Sequence, residues 1–233
     1  MSGIRKMFEL AGEDAIHLSL GEPDFQPPEH VVRAFSEAAV KGHNKYGSTR
    51  GLTPLREALA ERLKPHRDDL KMDNVLVTVS ATEALQITAQ ALLDPGDEVL
   101  VPDPGFVLYQ PQAMLAGARP VPYPLVQESG FRPTQEDLLA RITPRTKAMV
   151  VNSPSNPTGA CMDPSTVKMI TDLAEDNGFY IISDEVYDSI VYGERHNSFL
   201  GKLDNMVYVN SFSKIYAMTG WRLGYLAASK ELA

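Results

Sequence analysis

Two apolar patterns alternate along the chain, and this alternation constrains the fold more than any other feature. Segments with apolar residues at helical spacing are separated by short runs rich in β-branched residues, such as 75–79 and 206–210. This order is typical of α/β units arranged around a mostly parallel sheet. We therefore expect an α/β fold: a mostly parallel, doubly wound sheet with helices on both faces.

The same patterns predict individual elements. Helices are expected at 28–41, 52–64, 83–93 and 164–177. Short buried strands are expected at 75–79, 98–101, 149–152, 179–183, 206–210 and 224–227. The first two helices each carry apolar residues on one side, so both should pack that side inward.

Charge and composition restrict the classes of partner. The 233 residues carry a formal net charge of -8, which argues against a nucleic-acid partner because a polyanion needs a basic face. Hydrophobic residues make up 43% of the chain, enough for a folded core. No apolar run approaches the roughly 20 residues that span a bilayer. Residues 1–15 lack the apolar centre of a signal peptide, so we expect no membrane partner and a cytoplasmic location.

Cysteine and histidine usage gives no indication of a metal site. Cys161 is the only cysteine, which excludes an intrachain disulfide and a zinc site built on several thiolates. The five histidines fall at no metal-ligand spacing; they are His17, His30, His43, His66 and His196. We therefore predict no metal.

Polar loops follow five of the predicted strands. They are SAT at 80–82, PDPGF at 102–106, NSPSNPTG at 152–159, DEVY at 184–187 and SFSK at 211–214. The carboxyl ends of parallel strands share one edge of a sheet, and functional residues gather in the loops there. These five loops are therefore expected to converge on one site.

The last loop carries the most specific motif. The segment 211–225, SFSKIYAMTGWRLGY, closely resembles the lysine signature of the class I and II aminotransferases, a family of fold type I enzymes that depend on pyridoxal 5'-phosphate (PLP). The other loops match that family in the same order, so the resemblance covers nearly the whole chain. The segments GEPDF at 21–25, NPTG at 156–159 and MTGWR at 218–222 are most similar to the aspartate and aromatic aminotransferase group.

This resemblance implies catalytic roles for three residues. Lys214 would hold PLP as a Schiff base and later move the Cα proton of the substrate. A lysine amine must be neutral for both tasks, and desolvation and nearby cations lower its pKa toward that state. Asp184 matches the carboxylate that keeps the pyridine nitrogen protonated, so that the ring accepts electrons. Tyr187 matches the phenol that donates to the ring oxygen.

The resemblance also implies further contacts to the cofactor. Ser211, Ser213 and Arg222 match phosphate ligands, and the backbone amides of Ala81 and Thr82 would bind phosphate at a helix start. Many members have glycine where Ser80 or Ala81 stands, and this turn can equally cap the helix.

The remaining matches concern the ring, the substrate and a second subunit. Phe106 would stack on the ring, and Asn156 would lie beside the ring oxygen and contact the substrate. The Gly21 amide would reach the substrate carboxylate. Tyr46 resembles the tyrosine that crosses to a neighbouring subunit's phosphate, which implies a homodimer.

The function implied is transfer of an amino group from an L-amino acid to a 2-oxo acid, with aspartate, alanine and aromatic donors all open. A PLP-dependent C–S β-lyase or a related fold type I enzyme would use the same loops, and an incomplete fragment acting as a binding or scaffold domain is a further alternative. Residues 1–24 correspond to the family's N-terminal segment and residues 25–233 to its PLP-binding large domain. The family's C-terminal small domain, which carries the arginine that binds the substrate carboxylate, is expected to lie outside this chain, as part of a longer enzyme.

Overall fold

A computed structural model describes residues 10, 16, 21–193 and 195–233. Within this part of the chain, seven strands form one sheet. They are β1 (Val75–Thr78), β2 (Glu98–Asp103), β3 (Arg119–Pro124), β4 (Thr146–Asn152), β5 (Tyr180–Asp184), β6 (Met206–Ser211) and β7 (Gly224–Ala227). The order across the sheet is β1-β7-β6-β5-β4-β2-β3, and every neighbouring pair is parallel except the two that β7 makes.

Helices connect these strands. They are α1 (Glu29–Val40), α2 (Thr53–Leu63), α3 (Ser80–Leu92), α4 (Tyr109–Leu115), α5 (Gln135–Leu139) and α6 (Pro164–Asn177). The ends of α6 follow from its sequence: the Asp163 side chain accepts a hydrogen bond from the Thr166 amide, and Gly178 ends the helix in the left-handed conformation. Among the described residues, no helix is both long and apolar enough to cross a membrane.

Alternate residues of the central strands point to opposite faces of the sheet, and both faces are buried. Leu100 and Met149 contribute to one core with Ile170 of α6. Val101 and Val150 contribute to the other core, which α3 and α4 cover. Strands covered on both faces read as continuous apolar runs, which is why their sequences show little polar alternation. The predicted doubly wound architecture is confirmed.

The structure differs from the sequence prediction in three elements that the apolar patterns missed: β3, α4 and α5. Every second residue of β3 is a proline, at 120, 122 and 124, and proline argues against a strand. They are accommodated because β3 lies at the edge of the sheet and pairs only with β2. Helices α4 and α5 have seven and five residues, too short for a clear helical period.

The expected inward packing of α1 is wrong. None of its residues is buried, and Phe35 is 60% exposed. An amphipathic pattern shows that a helix has an apolar side, but it does not show that this chain covers it. Within the described residues, Phe35 contacts the ring of Trp221 with the centroids 5.0 Å apart.

Candidate active site

The sheet brings the five predicted loops to one side, where the parallel strands have their carboxyl ends. We call this side the site edge of the sheet. Strand pairing places Asn152 at the end of β4 opposite Asp184 at the end of β5. Strand β7 runs antiparallel between β6 and β1, so Gly224 lies opposite both Ser211 and Thr78. The carboxyl end of β1 therefore lies at the same edge as that of β6.

The amine of Lys214 lies at this edge, half-buried between two other segments. It donates a hydrogen bond to the Gly21 carbonyl and lies 5.8 Å from the centre of the Tyr187 ring. Burial lowers the pKa of Lys214; the charge of Glu22 acts in the opposite direction, and that of Arg222 adds to the lowering. A lowered pKa increases the neutral fraction of the amine, which is the nucleophilic form.

A second contact joins residues 21–22 to the lysine loop, residues 211–219. The Thr219 hydroxyl donates to the Glu22 carboxylate, next to the Gly21 contact with Lys214. An added Cβ on Gly21 would lie 3.9 Å from the Tyr187 hydroxyl. The predicted substrate contact at Gly21 is thus brought beside Lys214 and Tyr187.

Asp184 is a buried carboxylate whose donors are neutral. It is 4% exposed, and its Oδ2 accepts a hydrogen bond of 2.8 Å from the Tyr109 hydroxyl. Its Oδ1 receives a long bond of 3.4 Å from the Val186 amide. Burial raises the pKa of Asp184 to about 6, because no compensating cation pairs with it among the described residues.

The sequence reasoning did not identify Tyr109. The sequence cue that could have identified it is its position three residues after Phe106. In the structure, the two rings meet edge to face with centroids 5.6 Å apart. Phe106 is partly buried against the core that α3 and α4 cover. The loop after β2 thus delivers Tyr109 to Asp184 and places Phe106 beside it.

Asn152 was also missed, although it begins the predicted polar loop after β4. Its Nδ2 donates to the Asp184 backbone carbonyl at 2.9 Å, and its Oδ1 accepts from the Asn156 backbone N–H at 2.6 Å. It therefore fixes the Asn156 turn against the end of β5.

Burial and the nearby Asp184 carboxylate raise the pKa of Tyr187, so its hydroxyl stays protonated.

The turn that begins α3 is tightly constrained. Ser80 has φ 68°, in the left-handed region that favours glycine, and its Oγ accepts a bond of 3.3 Å from the Thr82 amide. An added Cβ on Gly224 would lie 2.4 Å from the Ser80 carbonyl carbon and 2.5 Å from the Ala81 nitrogen. A residue without Cβ is therefore needed at 224 for the backbone of this turn to approach β7.

The predicted phosphate ligands differ in how far they are buried. Ser211 and Ser213 are buried, and the Ser213 amide donates to the Ser211 hydroxyl at 3.3 Å. Arg222 is exposed, and its Nη1 donates to the Thr219 carbonyl at 2.8 Å. The structure does not bring Tyr46 to these residues: its side chain is fully exposed in this chain.

Comparison with known proteins agrees with this geometry. The model of the family "Aminotransferase class I and II" matches residues 13–233. A protein of Methanocaldococcus jannaschii named probable aspartate aminotransferase is 43% identical over 232 residues, which are 99% of this chain and 61% of that protein.

Solved structures give the same result. The aspartate aminotransferase of Thermotoga maritima is 42% identical with a TM-score of 0.92, covering 98% of this chain and 62% of that one. The aromatic aminotransferase of Pyrococcus horikoshii is 38% identical with a TM-score of 0.91, covering 99% and 63%. This chain thus spans about 60% of the length of these relatives. It belongs to the class I and II aminotransferases, a family of PLP-dependent enzymes.

Proposed function

We propose that the protein containing this chain is an aminotransferase that moves an amino group from an L-amino acid to a 2-oxo acid. One observation carries the proposal: a half-buried lysine with a lowered pKa lies at the same sheet edge as a buried carboxylate that has no cationic partner in the described chain. The printed names of the relatives, aspartate and aromatic aminotransferase, support the reaction class.

The residues at this edge fit PLP. Asp184 is buried, and its hydrogen-bond donors are neutral. A buried carboxylate without a cation is unfavourable, so a protonated ring nitrogen beside it would supply the missing positive charge. The start of α3 and the hydroxyls of Ser211 and Ser213 offer donors for a phosphate. When bound, PLP supplies an aldehyde that condenses with amines and a ring that accepts electrons from a carbanion.

Each side chain has a separate task in this proposal. Lys214 would hold the cofactor through its amine, and the same amine is placed to move a proton at the substrate Cα. Asp184, whose carboxylate accepts a hydrogen bond from Tyr109, would keep the ring nitrogen protonated. Tyr187 and Asn156 would orient the ring oxygen, and Asn156 would also contact the substrate.

The remaining roles concern binding. Phe106 would stack on the ring, and the phosphate would be held by the Ala81 and Thr82 amides, Ser211, Ser213 and Arg222. The Gly21 amide binds the substrate carboxylate; its carbonyl already accepts from Lys214.

We also propose a homodimer in which Tyr46 completes the neighbouring subunit's phosphate site. Its full exposure here supports this, because an exposed side chain is available to a second copy. The proposed division of the chain is an N-terminal segment, 1–24, and a PLP-binding domain, 25–233; much of the first lies outside the described residues. The cytoplasm is the proposed location.

The test is covalent labelling. PLP added to the protein should give a visible absorbance band, and borohydride reduction followed by peptide mapping should place the adduct on Lys214. The Lys214→Ala variant should lose both signals and nearly all turnover, because it removes the amine that binds the cofactor and moves the proton. Lys168→Ala is the matched control, since Lys168 is a surface lysine of α6 paired with Asp172.

The reaction class is tested on the same protein. Amino acids incubated with 2-oxoglutarate should yield glutamate and the corresponding 2-oxo acid. Pyruvate and ammonia from a sulfur amino acid, without glutamate, would identify a lyase instead. An adduct on a lysine other than Lys214, or equal labelling of the Lys214→Ala variant, would contradict the proposed site.

A further inference from the structure

Asp188 lies one residue after Tyr187 and has no role in the site described so far. Its Oδ2 accepts hydrogen bonds from Asn210 Nδ2 at 3.0 Å and from the Tyr208 hydroxyl at 3.3 Å. Arg62 Nη2 lies 4.0 Å from the same oxygen. The carboxylate is 16% exposed. Two side chains of β6 and one of α2 therefore meet at one largely buried acceptor.

Asn210 connects this acceptor to the lysine loop. Its side chain is fully buried, and its Oδ1 accepts from the Ser211 backbone amide at 2.6 Å. The orientation of its amide is determined, because the Nδ2 side must donate to Asp188 and the Oδ1 side must accept from Ser211. Asp188 therefore acts on the first residue of the lysine loop through one intervening side chain.

Arg62 provides a second connection, from α2. Its Nη1 donates to the Tyr216 hydroxyl at 3.1 Å, while its Nη2 faces Asp188. Tyr216 lies two residues after Lys214, and its ring stacks on Phe212 with the centroids 5.6 Å apart. The lysine loop is thus connected to Asp188 on both sides of Lys214.

We propose that Asp188 is a positioning residue that fixes the lysine loop, residues 211–219, relative to the ring loop, residues 184–188, through Asn210 and Arg62. Its importance for catalysis rests on the proposed function. The ring loop carries Asp184 and Tyr187, and the lysine loop carries Ser211, Ser213 and Lys214. A ligand held at both loops binds best when their separation is set in advance. A charged acceptor with several donors sets it more firmly than a neutral one.

The first test needs no ligand. Hydrogen exchange of peptides covering 210–216 should be about tenfold faster in Asp188→Ala, because loss of a buried charged acceptor leaves its donors unsatisfied. The matched control is Asp163→Ala. Asp163 also accepts several bonds, but its partners Arg132, Ser165 and Thr166 belong to neither loop. Exchange at 210–216 should be unchanged in the control; equal acceleration in both variants would overturn the proposal.

The second test measures PLP affinity by absorbance titration. Asp188→Ala should bind PLP about tenfold more weakly than Asp163→Ala does. Asp188→Asn keeps an acceptor for Asn210 but loses the charge that faces Arg62, so both its affinity and its exchange should fall between wild type and alanine. This variant decides the question if Asp188→Ala does not fold.

The two proposals fail in different ways. A folded wild-type protein that binds no PLP would contradict the proposed function, while the exchange measurement would still decide the positioning role. Wild-type affinity together with wild-type exchange in Asp188→Asn and Asp188→Ala would remove the role of Asp188 and leave the proposed function intact.

Discussion

Two buried carboxylates in this protein have pKa values shifted in opposite directions. Asp184 receives hydrogen bonds from a neutral hydroxyl and an amide, and burial raises its pKa to about 6. Glu98 accepts from Arg119, Thr143 and Arg145, and these donors lower its pKa to about 2 despite burial. The charge of the partners decides the sign. Asp184 is therefore the carboxylate that a bound cation would stabilise.

This difference predicts a pH-dependent stability effect at Asp184. Its folded pKa of about 6 exceeds the ordinary 3.8, so stability without cofactor is lost as pH rises from about 4 to about 6. Asp184→Asn removes the buried charge and should be more stable than wild type above pH 6, by about 1–3 kcal/mol. Urea unfolding from pH 4 to pH 8 measures the difference, which should shrink toward pH 4.

The control for this measurement is Asp172→Asn, an exposed carboxylate paired with Lys168 on α6. It should show no gain in stability at any pH in this range. A difference between wild type and Asp184→Asn that stays constant from pH 4 to pH 8 would show that ionisation of Asp184 does not destabilise the fold. PLP binding should reverse the order, because only the aspartate can form an ion pair with the ring.

Among the secondary-structure elements, β7 approaches the start of α3 closely at Gly224. Gly224→Ala would place its Cβ against backbone atoms of Ser80 and Ala81, which cannot move without shifting the helix. We expect a loss of about 1–3 kcal/mol in the free energy of unfolding and weaker PLP binding. Gly220→Ala is the control, since an added Cβ there meets nothing within 4 Å. Equal stability and PLP affinity in the two variants would contradict this account.

Sequence reasoning predicted the elements whose residues carry their own signal. The strand 224–227 and the helix 164–177 occur with the expected bounds, because a β-branched or apolar run and clear end residues mark them. The helix expected at 83–93 begins earlier, at Ser80, since the left-handed turn there is set by packing against Gly224. Strand β3 exists because a neighbouring strand pairs with it, which its own prolines do not reveal.

At the scale of the whole molecule, the sheet has a polar cluster at the amino ends of its strands, opposite the candidate site. Glu98 begins β2, Arg119 begins β3, and Thr143 and Arg145 precede β4. The cluster therefore joins three neighbouring strands. Loss of the Glu98 charge here would remove its charged hydrogen bonds with Arg119 and Arg145, whose own side chains are mostly exposed to solvent.

Acid should therefore weaken the fold through Glu98. Its pKa is lowered from 4.5 to about 2, so its contribution is complete above pH 4.5 and is lost as pH falls toward 2. Glu98→Gln should lower the free energy of unfolding at pH 7 by about 1–3 kcal/mol, and the difference from wild type should vanish near pH 2. Thermal unfolding at pH 2, 4 and 7 measures it, with Glu57→Gln, an exposed residue of α2, as the control. A difference that persists at pH 2 would contradict this assignment.

The candidate site could be predicted in part. The loop motifs indicated which strand ends would converge, since each motif is local and its position in a parallel sheet is general. Sequence reasoning missed three residues whose partners are distant in sequence and whose neighbours form no motif: Tyr109, Asn152 and Asp188. The exposure of α1 escaped for the same reason, because it depends on what lies against the helix.

The antiparallel strand β7 also determines the order in which the sheet is completed as the chain leaves the ribosome. Strand β1 is made early, but its partner β7 follows the lysine loop, and Val75 pairs with Ala227. Pairings between segments so far apart form slowly. Residues 75–78 therefore wait, with an open edge, until almost all of the described chain has been translated. The lysine loop directly precedes β7 in the chain, so the nascent protein places Lys214 at the sheet and pairs β1 in the same late step.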